Sequence, residues 1–238
     1  MERLDKILAG TGRWSRREVK ELIRAGRVQV NGRTAHDPEE KYAREGLELR
    51  VDGASISGEK FAYLMLYKPA GLLSATEDAR QKTVLDLLPG HLRRTGLFPA
   101  GRLDKDSEGL LLLTNDGGLA HSLLSPRRHV DKTYFVQVDG VLDEDDCAAF
   151  AAGMTLEDGL VCLPAGLERL ERADEGLVTL REGKYHQIKR MLAHRGKPVR
   201  YLKRLTMGPL RLDPALAPGE WRPLTAEEQA AIQRLRRV

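Results

Sequence analysis

The stretch Gly101-Arg102-Leu103-Asp104-Lys105-Asp106-Ser107-Glu108-Gly109, followed by Leu110-Leu111-Leu112-Leu113 and Thr114-Asn115-Asp116-Gly117, decides how this chain is read. Its first part is a charged loop. The run of leucines is too short for a helix and is expected as a strand buried on both faces. Thr114-Asn115-Asp116-Gly117 then turns the chain into a short helix that ends near Leu124. A polar loop leading straight into a buried strand can hold a carboxylate rigidly, so its acids are the first to weigh for chemistry. Taken alone, a surface turn before a core strand explains the same residues.

Outward from this stretch the pattern is α+β, not a regular βαβ alternation. Residues 1 to 58 read as one small unit. Leu4, Ile7 and Leu8 have helical spacing, and Gly10-Thr11-Gly12 ends that helix. Ser15 and Glu18 form an expected capping box for a second helix, whose apolar stripe is Val19, Leu22 and Ile23. Val28 and Val30 alternate up to the strong turn signal Asn31-Gly32, and Leu47, Leu49 and Val51 alternate as another strand. Residues 52 to 58 are small and polar and read as a linker. Residues 59 to 238 form the second domain. Strands are expected near 63–67, 133–138, 177–180, 200–205 and 210–212. Ile188, Met191, Leu192 and Arg195 lie on a helix that Gly196 and Pro198 terminate. His186 and His194 fall on that same expected helix.

The chain of 238 residues carries a net charge of only +4, but its charges are unevenly placed. Between Arg13 and Arg33 there are seven basic residues against two acids, and between Arg181 and Arg204 nine against one. The stretch from Asp139 to Glu175 is acidic. Two separate basic runs point to a polyanionic partner. The exposed side of the second helix, with Arg16, Arg17, Lys20 and Arg24 next to Arg13, suits a phosphate backbone.

Other classes are set aside. There is no Gly-rich phosphate loop, no nucleophile elbow and no cluster of metal-ligand residues, so neither metal nor cofactor is expected. Cys147 and Cys162 read as two reduced structural thiols. No window approaches the roughly 20 apolar residues of a membrane helix, and the start Met1-Glu2-Arg3-Leu4-Asp5-Lys6 does not resemble a secretory signal. A soluble, cytoplasmic protein with no membrane partner is expected.

Gly-Arg-Leu-Asp-x-x-Ser-x-Gly-Leu-Leu-Leu-Leu-Thr-Asn-Asp-Gly at 101–117 closely resembles the signature of the RsuA-type pseudouridine synthases of bacterial ribosomal RNA. Tyr67-Lys68-Pro69-Ala70-Gly71 resembles that family's Lys-Pro-x-Gly turn, Lys132-Thr133-Tyr134 its second motif, and Glu182-Gly183-Lys184-Tyr185-His186-Gln187-Ile188-Lys189-Arg190-Met191 its third. Ala217-Pro218-Gly219-Glu220-Trp221-Arg222-Pro223-Leu224-Thr225 is similar to its closing segment. Residues 1 to about 50 look like a small RNA-binding domain shared with a small-subunit ribosomal protein and tyrosyl-tRNA synthetases. The resemblance spans nearly the whole chain in the family's order. One departure is Asp106-Ser107-Glu108, where the family often carries Thr before Ser-Gly.

The resemblance implies a pseudouridine synthase fold, with a mixed, mainly antiparallel sheet, preceded by a small α/β RNA-binding domain. It implies Asp104 as nucleophile, Tyr134 as the ring stacked on a flipped base, and Lys189 as the cation paired with Asp104. Arg102 is expected to contact RNA. Arg13, Arg16, Arg17, Lys20, Arg24, Lys184 and Arg190 complete the expected RNA contacts, and Asp106 and Glu108 are expected as loop structure. The implied partner is ribosomal RNA or a pre-ribosomal subunit, met by a monomer. The short segment after Arg222-Pro223-Leu224-Thr225 leads to the small-subunit (16S) branch, with large-subunit (23S) RNA as the alternative. A non-catalytic assembly factor would explain the basic runs but not Asp104, Tyr134 and Lys189 together. A hydrolase pairing Asp104 with Asp106 or Glu108 is the remotest reading.

Overall fold

The structure is a computed structural model in which residues 1–125 and 130–235 are described. The chain divides into two compact units: Met1–Ala62 with Leu85–Phe98, and Tyr63–Val84 with Pro99–Val238.

In the first unit, helices Leu4–Ala9 and Arg16–Arg24 pack on an antiparallel sheet. The second helix starts at the expected box: Ser15 N–H donates to Glu18 Oε2 at 2.6 Å and Glu18 N–H to Ser15 Oγ at 3.3 Å. Its stripe of Val19, Leu22 and Ile23 is buried against Leu4, Ile7, Leu8, Val28 and Leu49. The sheet runs in the order Arg33–Thr34, Val28–Val30, Leu49–Val51, Ala54–Ile56. The expected linker is therefore corrected. Asp52 (φ 51°) and Gly53 (φ 78°) are a hairpin turn of the same kind as Asn31 (φ 48°) and Gly32 (φ 78°), and Ile56 joins the core. Small polar composition suits an edge strand as well as a linker.

Leu85–Phe98 belongs to this unit through contacts that lie far apart in sequence. Arg94 Nε donates to the Gly12 carbonyl at 2.8 Å. Gly12 has φ +72°, and a Cβ there would stand 2.1 Å from the His91 carbonyl oxygen. Glycine is required at that approach.

The second unit is built on a mixed sheet in the order Gly166–Arg169, Glu175–Leu180, Lys132–Val138, Val199–Met207, Glu108–Thr114, Tyr63–Lys68, Trp221–Pro223. All these neighbours are antiparallel except Val199–Met207 with Glu108–Thr114, which are parallel. Leu110 to Leu113 are fully buried, as a strand covered on both faces should be. Helices Glu144–Ala152 and Gln187–His194 supply Phe150, Ile188, Met191 and Leu192 to the core over Val136, Val138 and Val178. The first of these helices was not expected from its acidic sequence. Asp143 and Asp146 cap it reciprocally, and its last turn buries Phe150.

Candidate active site

The parallel junction at the centre of the sheet positions the Asp104 loop. Gly109 follows the loop with φ +105°, and a Cβ there would meet the Arg204 carbonyl oxygen at 2.2 Å. Only glycine lets the two strands pass. Lys68, at the end of its strand, is fully buried, and its Nζ donates to the carbonyls of Pro69 (3.0 Å), Lys105 (3.2 Å) and Ser107 (2.8 Å). Gly71 N–H adds a second bond to the Lys105 carbonyl at 2.7 Å, and Ser74 Oγ both donates to and accepts from the Leu103 backbone, at 2.8 and 3.0 Å. The loop is thus fixed from below through its own backbone. Burial pushes the Lys68 ammonium down to about 8, while the nearby carboxylates of Asp106, Glu108 and Asp104 resist that shift.

Asp104 projects from this clamped loop with about a quarter of its side chain in solvent. Lys189 Nζ lies 3.3 Å from one carboxylate oxygen, and His186 Nε2 lies 3.4 Å from the other. Lys189 is closer to Asp106, at 2.5 Å, so it serves both acids, and it holds the Asp106 carboxyl below the usual range. Asp106 is therefore part of the site's charge pattern and not loop structure alone. Glu108 is also corrected: it begins the strand Glu108–Thr114 and accepts a hydrogen bond from the Tyr201 hydroxyl at 2.9 Å.

His186 stands outside the helix on which sequence spacing placed it. It is the residue before Gln187–His194, in a left-handed conformation (φ 49°, ψ 33°). Such a backbone costs roughly 1–2 kcal/mol for a residue other than glycine. It turns the ring toward Asp104 and stacks it on Tyr185, with centroids 3.9 Å apart and planes 18° apart.

Tyr134 lies across the same pocket on Lys132–Val138. A register shift between Thr133 and Tyr134 against Val199–Met207 leaves Leu205 unpaired there. Bulges of this kind re-aim side chains beside functional sites. The pocket encloses about 80 Å³ and is lined by Arg102, Leu103, Asp104, Ser107, Tyr134, Leu180, His186 and Ile188 among others. The volume is far below the roughly 300–1,000 Å³ of sites that swallow whole ligands, and suits part of one planar ring. A cleft of about 320 Å³ beside Asp158, Arg190 and His194 is larger. Its Arg190 and Asp158 neutralise each other at 2.5 Å, so chemistry favours the smaller one. Ser107 Oγ, at the pocket wall, is buried with no hydrogen-bond partner among the described residues.

The structure thus brings Asp104, Tyr134 and Arg102 to one pocket, with Lys189 against the Asp104 carboxylate. Lys184 lines it too, but its ammonium is tied to Glu182 at 2.9 Å. Arg13, Arg16, Arg17 and Arg24 are exposed and Lys20 half-exposed in the other unit. His186 and Lys68 were not singled out from sequence. A lone lysine closing the apolar run 63–67 is the signal that marked Lys68; His186 carried none beyond its place in the third motif.

A model of the RNA pseudouridylate synthase family matches residues 62–194, across the loop, Tyr134 and the helix bearing Lys189. The chain belongs to that family. An S4 domain model matches residues 2–46. The chain is 50% identical to an uncharacterized RNA pseudouridine synthase of Bacillus subtilis over 230 residues, covering 95% of this chain and 96% of the relative. It is 42% identical to the ribosomal small subunit pseudouridine synthase A of Pseudomonas aeruginosa (97% and 100% covered) and 36% identical to the ribosomal large subunit pseudouridine synthase B of Bacillus subtilis (99% and 96%). The crystal structure of a pseudouridylate synthase superposes with a TM-score of 0.68 at 34% identity, over 99% of this chain and 100% of that one. The protein is an RNA pseudouridine synthase, an isomerase with an S4 domain, in which the expected mixed sheet is present. Among the described residues no helix is long and apolar enough to cross a membrane.

Proposed function

We propose that the protein converts one uridine of small-subunit ribosomal RNA to pseudouridine with Asp104 as nucleophile. The observation that carries the assignment is the Asp104 carboxylate, held at the pocket mouth between Lys189 and His186 on a loop fixed by Lys68. The base must leave its stack to reach that pocket, at a cost of a few kcal/mol. Tyr134 supports the flipped ring, and stacking of this kind is worth about 1–3 kcal/mol per base. The N1–C1′ bond breaks, a C5–C1′ bond forms, and the C5 proton is exchanged for one on N1. The carboxylate adds to the base or the sugar and departs, so no cofactor is consumed. Lys189, 3.3 Å from the carboxylate, orients it.

The unit of residues 1–62 and 85–98 acts as the RNA-docking domain and that of residues 63–84 and 99–238 as the catalytic domain, in a cytoplasmic monomer. Arg13, Arg16, Arg17, Lys20 and Arg24 meet phosphates and fix register, while Arg102 holds the strand beside the pocket. The small-subunit target is supported by the higher identity, over nearly the whole chain, to the small-subunit enzyme than to the large-subunit one. Mapping pseudouridine in both ribosomal RNAs, with and without the gene, tests this: one site should vanish from small-subunit RNA. Loss from large-subunit RNA alone overturns the target and keeps the chemistry.

A further inference from the structure

We infer that Tyr185 is a stacking platform for an RNA base beside the isomerised uridine. The inference rests on the reading that Asp104 marks where that uridine goes. Tyr185 leaves 72% of its surface in solvent, whereas Tyr63, Tyr67 and Tyr134 are each below 10%. An aromatic ring so exposed contributes almost nothing to folding and is a recurrent mark of recognition. One face of the ring is already covered. His186 lies on it at 3.9 Å and 18°, and the far edge of His186 reaches Asp104 at 3.4 Å. The pair is a two-ring stack that starts at the carboxylate and ends on an open face. Its spacing is close to the roughly 3.4 Å rise between stacked nucleotides.

A flipped uridine leaves its neighbour without a partner on one side. The open face of Tyr185 replaces that partner without asking which base it is, because every base has a π face. The left-handed backbone at His186 makes the arrangement possible, since it folds two adjacent rings onto each other at the head of a helix. Arg102, exposed on the same pocket with no ion pair among the described residues, is placed for the phosphate between the two nucleotides. Tyr134 and Tyr185 thus divide the work: the buried ring takes the target base and the exposed ring takes its neighbour.

Steady-state turnover on RNA labelled with tritium at uridine C5, taken from cells lacking the gene as free RNA and as subunits, tests this. Tyr185→Ala and Tyr185→Leu should raise KM about 5- to 150-fold, the equivalent of the ~1–3 kcal/mol of one stacked base, with kcat within about twofold. Tyr185→Phe and Tyr185→Trp should restore KM. An unchanged KM in Tyr185→Ala overturns the platform. So does a fall in kcat at unchanged KM, which would mean that the ring only braces His186. Asp104→Asn is assayed alongside: if it keeps its turnover, the nucleophile reading fails, and that result is separate from the Tyr185 series.

Discussion

The two basic runs of this chain look alike in sequence and behave differently in the structure. The run from Arg181 to Arg204 has the larger excess, yet each of its nine cations is engaged within the protein. Arg181 meets Asp131, Lys184 meets Glu182, Arg190 meets Asp158 and Arg200 meets Asp174. Arg195 and Lys197 share the buried Asp146, and Lys189 serves Asp104 and Asp106. Lys203 lies 4.6 Å over the Tyr67 ring, and buried Arg204 donates to the Leu110 carbonyl at 2.7 Å. In the run from Arg13 to Arg33, Arg17 pairs with Glu21 and Arg27 with Asp52, while Arg13, Arg16, Lys20, Arg24 and Arg33 have no ion pair among the described residues. The acidic stretch 139–175 supplies many of the partners of the second run. A charge count along the chain does not see partners that folding brings in, so the smaller excess is the freer one.

The sharpest division between structural and chemical charge is at Asp104. Asp104→Asn should lower turnover by at least about a thousandfold, since an amide is no nucleophile. RNA affinity should stay within about threefold. Tritium release from C5 and filter binding on one preparation read both. Retained turnover would remove Asp104 from the chemistry.

Asp146 is the counterpart within the structural run. It is fully buried between Arg195 and Lys197, whose side chains keep 34% and 14% of their surface exposed. Asp146→Ala strands Arg195 and leaves Lys197 with Asp143 alone. Complete burial would make the loss about 3–5 kcal/mol; with Arg195 still part-solvated we expect about 2–3 kcal/mol in urea unfolding. A loss under about 0.5 kcal/mol would show that the run is not structural.

Local signals were legible in the sequence where the cause is local. The Ser15–Glu18 box, the Asn31-Gly32 turn, the leucine strand and the alternation through Tyr134 all depend on residues a few positions apart. The missed features depend on tertiary approach. Lys68 becomes a clamp only because the loop 104–107 passes over it. His186 reaches Asp104 only through a left-handed backbone that spacing cannot encode. Gly12 meets His91 across 79 positions. Asp104, Tyr134 and Lys189 were named as candidates through family resemblance; their residue types alone permitted a surface turn.

Lys68 links the clamp to pH. Its folded value of about 8 lies below the ordinary 10.5. Between those values the unfolded chain binds more protons, so the stability contributed by this group rises with pH across that window; below about 8 the full burial penalty stands. Activity should move the other way. Above about pH 8 the amine has lost one of the donors that hold the Lys105 and Ser107 carbonyls, and the Asp104 loop loosens. We expect kcat to fall about tenfold per unit beyond that midpoint while urea stability does not fall. Lys68→Arg, which stays charged, should move the decline to higher pH. A decline unmoved in that variant assigns it to another group.

The smallest effect bears most directly on the two runs. If the cations of the second helix are free to meet phosphate, each one neutralised removes one counterion-release contribution. Arg16→Gln and Arg24→Gln should each weaken RNA binding a fewfold and flatten the slope of log Kobs against log salt by about 0.7–0.9. Folding stability should change by less than about 0.5 kcal/mol, because both arginines are exposed and neither has an ion pair among the described residues. Arg200→Gln is the control from the other run. Its guanidinium donates to Asp174 at 2.6 Å and to the Val138 carbonyl at 3.0 Å. The salt slope should stay put, with a stability loss of up to about 1 kcal/mol for a half-exposed pair. The decisive result is the difference between the two slopes. An exposed pair such as Arg181 with Asp131 is worth so little that RNA could displace the acid. Equal slopes for Arg16→Gln and Arg200→Gln would mean that exchange of this kind occurs, and that internal pairing does not keep the second run from the RNA.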